Sequence, residues 1–160
     1  MKPQTIFLHY GEGGHKEEIE RLYALLGAKE NNVRYIGLCE GRHISNKLKN
    51  FKLLPMRSKY SKLVTLALLP CAVIYNLFKS LILVILYNPV GLISTGPGSV
   101  LLPAAILRMF HKKVVYIEDG CRFYSISISG KYLMRIASRF YVQNKELLNF
   151  YTGAIYAGLL

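Results

Sequence analysis

Between Gly41 and Ile117 the chain contains no Asp or Glu, and within that stretch a run of cations leads directly into a long apolar run. The basic part reads RHISNKLKNFKLLPMRSKYSK (Arg42 to Lys62), the apolar part LVTLALLPCAVIYNLFKSLILVIL (Leu63 to Leu86). Cations beside an apolar surface suit a bilayer with anionic headgroups, where each nearby Lys or Arg contributes about 1 kcal/mol. The apolar run is long enough to span a bilayer. Strand-like segments lie on both sides of it, however, and one sheet cannot keep strands on both sides of a membrane. Pro70, Asn76 and Lys79 interrupt the run, and Lys62, Thr65, Asn76 and Lys79 fall near one narrow stripe of a helical wheel. The pattern suits a helix or helical hairpin inserted in the fold and lying in the membrane interface. The alternative is an ordinary buried crossover helix, for which this run is longer than so small a domain needs.

A chain of 160 residues has room for one domain with one core, spanning 1–160 and including the membrane-associating segment 42–86. The formal net charge of +12 calls for a negative partner surface, such as lipid headgroups or phosphates. Nucleic acid is disfavoured because the charge borders aliphatic runs instead of a stacking surface. Cys39, Cys71 and Cys121 form an odd set without CxxC spacing, so neither a disulfide framework nor a zinc site is expected. Reduced cysteines fit a cytoplasmic setting. The N-terminus enters a strand-like run with no signal peptide.

Strands and helices alternate along the rest. Thr5 to Tyr10 reads as a strand, Lys16 to Leu26 as a helix with one apolar stripe, and Val33 to Leu38 as a second strand. Further strands are expected at Val90–Ser94, Lys113–Ile117, Phe140–Val142 and near Ala154–Tyr156, with helices at Val100–Phe110, Tyr132–Ala137 and Lys145–Tyr151. This alternation predicts an α/β, Rossmann-like parallel sheet with helices on both faces. Ligands of such sheets bind at the carboxyl ends of the strands.

Three motifs fall there. GEGGH (Gly11 to His15) joins the first strand to the first helix; its glycines allow backbone N–H groups to approach an anion at the helix N-terminus. Lys16 stands where the dinucleotide fingerprint needs glycine, which argues against a nicotinamide or flavin. His15 has the chemistry of a general base, or of a phosphate or sugar-hydroxyl ligand. TGPG (Thr95 to Gly98) is a second loop of the same type, and two such loops on one sheet edge make a cleft. Ile117 to Lys131 (IEDGCRFYSISISGK) carries Glu118 and Asp119, which point to opposite sides of an extended chain and so are not an acid/base dyad. One is expected to face the cleft, the other to cap a helix or pair with Arg122. Ser125, Ser127 and Ser129 alternate with Ile126 and Ile128, which equally describes a half-buried strand.

At these sites the chain resembles the membrane-associated subunit of two-component glycosyltransferases. That family includes the eukaryotic enzyme adding the second N-acetylglucosamine to a dolichol-linked precursor and the bacterial PssD-type proteins of capsule and exopolysaccharide assembly. The family's GSGGH-like loop is matched by Gly11 to His15, its N/T-GPG turn by Thr95 to Gly98. Its signature IES-x-(A/C)-R-V-x-S-x-S-x-(T/S)-GK is matched from Ile117 through Arg122, Ser127, Ser129, Gly130 and Lys131, and the following R-F-x-V-Q by Arg139, Phe140, Val142 and Gln143. Asp119 stands where the family carries serine. Starting without an anchor helix, the chain is similar to the bacterial branch.

The resemblance implies the acceptor-side half of a GT-B glycosyltransferase, docked peripherally or monotopically on the cytoplasmic face of the membrane. A separate PssE-type chain would hold most of the nucleotide sugar, a UDP-linked one, with no further cofactor and no metal. The implied reaction is an inverting, metal-independent sugar transfer to a polyprenyl-diphosphate-linked acceptor. By analogy with the related enzyme of peptidoglycan lipid synthesis, His15 lies near the acceptor hydroxyl and donor phosphates. His15 is then the expected base, with Glu118 second. Gly11, Gly13, Gly14, Thr95, Gly96, Gly98, Asp119, Arg122, Ser129 and Lys131 are the expected substrate contacts. The competing expectation is a non-catalytic membrane scaffold that activates its partner.

Overall fold

The computed structural model describes residues 3–27, 32–41, 48–57 and 62–160. Seven strands form one parallel sheet: β1 (Gln4–Tyr10), β2 (Val33–Cys39), β3 (Lys49–Lys52), β4 (Gly91–Ser94), β5 (Lys113–Ile117), β6 (Arg139–Val142) and β7 (Ile155–Tyr156). Their order across the sheet is β3-β2-β1-β4-β5-β6-β7. The order reverses between β1 and β4, so the loops leaving these two strands diverge and open a crevice at their carboxyl ends.

Four α-helices cover the sheet: α1 (Gly14–Gly27), α2 (Lys62–Tyr87), α3 (Leu101–Met109) and α4 (Ile128–Ile136). Strand alternation sends side chains to two cores. Phe7, Ile36 and Leu38 point towards α2, α3 and α4, joining Leu83, Val84, Leu107 and Leu133. Leu8, Tyr10, Tyr35 and Cys39 point the other way and pack on Ile19 of α1. Helices therefore lie on both faces, as the alternation predicts.

The elements differ from the sequence reading in three places. β3 lies inside the basic run; KNFK pairs with β2 as an edge strand although three of its four residues are polar. The serine alternation is no strand: Ser127 caps α4, its hydroxyl accepting from the Gly130 N–H at 2.7 Å, and the helix begins four residues before the expected start. Lys145–Asn149 is a 3-10 turn instead of an α-helix. Of the basic run, residues 42–47 and 58–61 lie outside the described residues.

The apolar run forms one uninterrupted helix instead of a hairpin. α2 has 26 residues, about 39 Å at 1.5 Å per residue, and contains Pro70 on its exposed side. Its buried line is Ala72, Asn76, Ser80, Leu83 and Val84. Its outward line is aliphatic and aromatic, with Leu63, Leu66 and Leu86 at 79%, 70% and 67% exposure, and Ile74, Phe78, Ile82 and Ile85 similarly bare. Of the polar stripe read from the wheel, Asn76 faces the protein and Thr65 lines a cavity, whereas Lys79 is half-buried and donates to the exposed Tyr75 hydroxyl; the Lys62 side chain lies outside the described residues. Only 28% of its most apolar window is buried, so α2 is not the expected alternative of a buried crossover helix. By length and composition it is the one described helix long and apolar enough to cross a membrane.

Candidate functional site in the crevice between β1 and β4

The two glycine loops meet at His15. Gly13 adopts φ +67°, and its carbonyl accepts from the N–H groups of Lys16 and Glu17, turning the chain from β1 into α1. His15 follows in the first turn of that helix. The buried Thr95 hydroxyl donates to the His15 carbonyl at 2.8 Å, tying the second loop to the first. Gly96 has φ +108°, and a Cβ there would come within 2.8 Å of the imidazole. Glycine is required at this position both for the backbone and for the ring's place.

The second loop is held from below by His9, a residue the sequence reading passed over as part of a strand. It is fully buried. Its Nδ1 lies 2.9 Å from the Gly96 carbonyl, which can only accept, so Nδ1 carries the proton and Nε2 accepts from the Ser99 hydroxyl at 2.8 Å. Burial pushes the His9 pKa down to about 3, with a smaller opposing effect of the Gly96 bond. A neutral histidine with both nitrogens occupied is a fixed strut under the loop.

Next to these loops opens a cavity of about 540 Å³. Gly11, His15 and Pro97 form one wall, and Lys52 at the end of β3 and Arg57 beyond it form another. Glu12 and Glu40 also reach it, and burial pushes the Glu40 carboxyl up. The remaining wall is the amino-terminal part of α2, with Val64, Leu68 and Leu69. Asn76 fixes the cavity's outer edge: its amide donates to the Leu54 carbonyl and accepts from the Leu54 N–H, both at 2.8 Å. The polar side of α2 therefore staples the segment that carries Pro55, Met56 and Arg57. Imidazole, cations and aliphatic surface share one space, which suits a ligand with an anionic head and an apolar tail.

The segment after β5 is a separate cluster. Glu118 is 1% exposed. Its Oε2 accepts from the Ser127 and Tyr151 hydroxyls, and its Oε1 from the Asp119 N–H at 3.2 Å. Burial and that bond to Glu118 push the Tyr151 phenol up to about 12, keeping it a proton donor. A side chain at Gly130 would strike the Glu118 carboxylate and the Tyr151 hydroxyl, which accounts for glycine before Lys131. Asp119 closes a turn by accepting from the Cys121 N–H at 2.9 Å. The Arg122 guanidinium sits 3.8 Å from Glu118 and donates to Ser125. Ser129 contacts Tyr116 and Ser127, and Lys131 points outward on α4.

The expected site residues therefore fall into two groups. Gly11, Gly13, Gly14, His15, Thr95 and Gly96 surround the crevice, with Gly98 opening the turn into α3. Glu118, Asp119, Arg122, Ser129 and Lys131 form the second group, in which Glu118 is a buried anchor. Glu18 joins the two, and the sequence reading missed it because it lies within an ordinary amphipathic pattern. Its Oε1 accepts from the Gly120 N–H at 2.9 Å and from Gln143 Nε2 at 2.8 Å. Its one readable signal is the i, i+3 spacing from His15 in the first turn of a helix.

The same arrangement of sheet and helices occurs in larger proteins. MurG of Acinetobacter baumannii superposes with a TM-score of 0.68 at 10% identity, covering 99% of this chain and 44% of that one. The Staphylococcus aureus MnaA–UDP structure gives 0.68 at 12% identity, over 98% and 44% respectively. The chain thus spans less than half of either structure and has the fold of the N-terminal domain of GT-B glycosyltransferases. Among sequences, the Schizosaccharomyces pombe UDP-N-acetylglucosamine transferase subunit alg14 is 32% identical over 177 residues, covering 97% of this chain and 82% of that protein. The Homo sapiens subunit ALG14 is 26% identical over 176 residues, with 96% and 82% covered. These relatives are eukaryotic, and the expectation of a capsule or exopolysaccharide role draws no support from them. Residues 5–160 match the family model described as oligosaccharide biosynthesis protein Alg14 like, and the chain belongs to that family.

Proposed function

We propose that this chain is the membrane-docking, acceptor-holding subunit of a glycosyltransferase. It transfers N-acetylglucosamine from its UDP-linked donor to a polyprenyl-diphosphate-linked sugar, at the cytoplasmic membrane face and together with a separate donor-binding chain of the PssE type. The observation carrying this reading is α2. Its outward face is apolar from Leu63 to Leu86, and its amino-terminal part walls the cavity that holds His15. A lipid-linked substrate whose tail stays in the bilayer beside α2 would bring its diphosphate to Lys52 and Arg57 and its sugar to His15. The proposed chemistry is a single displacement. His15 takes the proton of the acceptor hydroxyl, the oxygen bonds to the anomeric carbon, and the bond from that carbon to UDP breaks. Glu118, whose oxygens are occupied by Ser127, Tyr151 and Asp119, serves in this reading as a positioning residue and not as a base.

The test is reconstitution in vesicles with the donor-binding chain, labelled UDP-N-acetylglucosamine and polyprenyl-diphosphate-linked N-acetylglucosamine. Transfer requires both chains, and His15→Ala lowers it by about 100- to 10,000-fold, the range of a lost general base. Undiminished transfer by His15→Ala would replace this reading with that of a scaffold whose partner carries the chemistry.

A further inference from the structure

His15 has one buried ring nitrogen, and the group facing it is a carboxylate. His15 Nδ1 and Glu18 Oε2 are both buried, neither has a hydrogen bond, and they lie 4.0 Å apart. About a quarter of the imidazole side chain is exposed, and it lines the cavity, so the accessible part of the ring lies away from Nδ1. Glu18 cannot turn aside, because its Oε1 holds the Gly120 N–H and Gln143 Nε2. The Gln143 amide is oriented in turn: its NH₂ also donates to the Glu118 carbonyl at 3.0 Å, and its oxygen accepts from the Leu160 N–H at 2.8 Å. Both donors to Glu18 are therefore chemically unambiguous.

We propose that Glu18 is a positioning residue for the transfer reaction: it accepts the His15 Nδ1 proton and so presents an unprotonated Nε2 to the acceptor hydroxyl. The inference rests on the reading of His15 as the base. Closing the gap from 4.0 Å to hydrogen-bonding distance takes a displacement of about 1.2 Å, a common tightening when a catalytic cleft fills. It leaves the Oε1 bonds in place, since the carboxylate is bidentate. Glu18 thereby couples the glycine loop to the segment after β5, because one carboxylate serves His15 and Gly120 together. Two buried polar atoms without partners otherwise stand against the rule that such atoms find hydrogen bonds.

Glu18→Gln isolates this role. Gly120 and Gln143 both donate, so the oxygen of the new amide must stay on them and its NH₂ must occupy the Oε2 position. There it offers a proton to His15 Nδ1, and the ring proton moves to Nε2. Nitrogen-15 NMR of the ring in the neutral protein, with and without the donor-binding chain, reads the tautomer directly. Wild type is expected to carry the proton on Nδ1 and Glu18→Gln on Nε2. Turnover of the reconstituted pair should fall about 100- to 10,000-fold in kcat with KM changed by less than about threefold, and Glu18→Asp should restore part of it. A wild-type ring protonated at Nε2 overturns the proposal, and that measurement needs no folded variant. A tautomer that switches while turnover stays unchanged keeps the His15–Glu18 pair but removes His15 as the base, sinking the functional reading.

Discussion

Helices α1 and α2 cover opposite faces of one sheet with opposite rules. On α1, Ile19, Leu22, Tyr23 and Leu26 turn inward, and Lys16, Glu17, Glu20 and Arg21 form ion pairs along the outer side. On α2, Asn76 and Ser80 turn inward, and the outer side is Leu, Ile and Phe. A helix places its apolar face where water is absent. For α1 that place is the core, and for α2 it is largely outside the protein. By that rule the outer side of α1 suits water, and the outer side of α2 suits a second apolar phase. An exposed apolar patch of this extent marks a membrane or protein contact, and the cations Lys52 and Arg57 beside α2 favour an anionic bilayer.

The largest effect should come from making α2 obey the rule of α1. Leu66→Glu, Ile82→Glu and Leu86→Glu together remove three apolar side chains of about 1.5–3 kcal/mol each from the lipid. Binding to anionic vesicles should drop by at least 1,000-fold in a flotation assay, with the melting temperature little changed. Leu25→Glu on the exposed side of α1 should leave flotation unaltered. If both variants float equally well, the contrast between the helices has no membrane meaning.

A second test concerns the buried polar groups on the α2 side of the sheet. His9 is neutral when folded, with its pKa pushed down to about 3, whereas the unfolded chain protonates near 6.5. Its contribution is fully present above pH 6.5 and is lost as pH falls towards 3, because the unfolded state then binds the extra proton. Stability should decline by up to about 1.4 kcal/mol per pH unit in that window, on the order of 5 kcal/mol overall. Urea titrations of wild type and His9→Gln over this range should show the slope reduced in the variant.

A smaller effect should follow from Asn76→Leu, which makes the inward side of α2 apolar. The change strands the Leu54 N–H and carbonyl, at about 1–3 kcal/mol for each group left unsatisfied, less what water recovers at the half-open edge. We expect a net loss of about 2 kcal/mol by urea denaturation, with flotation retained, since the exposed apolar side is untouched. A gain in stability would mean that Asn76 is no staple.

The sheet was largely legible in the chain. β1, β2, β4 and β5 are apolar runs closed by glycine loops, and their order of appearance already implies a parallel sheet with its crevice at those loops. β3 was not legible, because Lys49, Asn50 and Lys52 carry no strand signal and only pairing with β2 makes them one. The start of α4 was hidden by serine–isoleucine alternation, which has the period of a strand; the Ser127 cap and the packing of Leu133 settled it. The motifs drew attention to His15 and Glu118 alike. Nothing local to Glu118 tells that Tyr151, more than thirty residues away, would occupy its carboxylate.

Length, charge and motif order were properties of the sequence alone: an acid-free cationic and apolar middle, two glycine loops, and a β–α alternation that predicts a parallel sheet with helices on both faces. They follow from composition and spacing, which need no third dimension. Which face of α2 is turned inward, that His9 is a buried strut, and that Glu18 reaches both His15 and Gly120 were decided only by tertiary structure. Each depends on a partner distant in sequence, and burial and hydrogen bonding act through space whatever the separation along the chain.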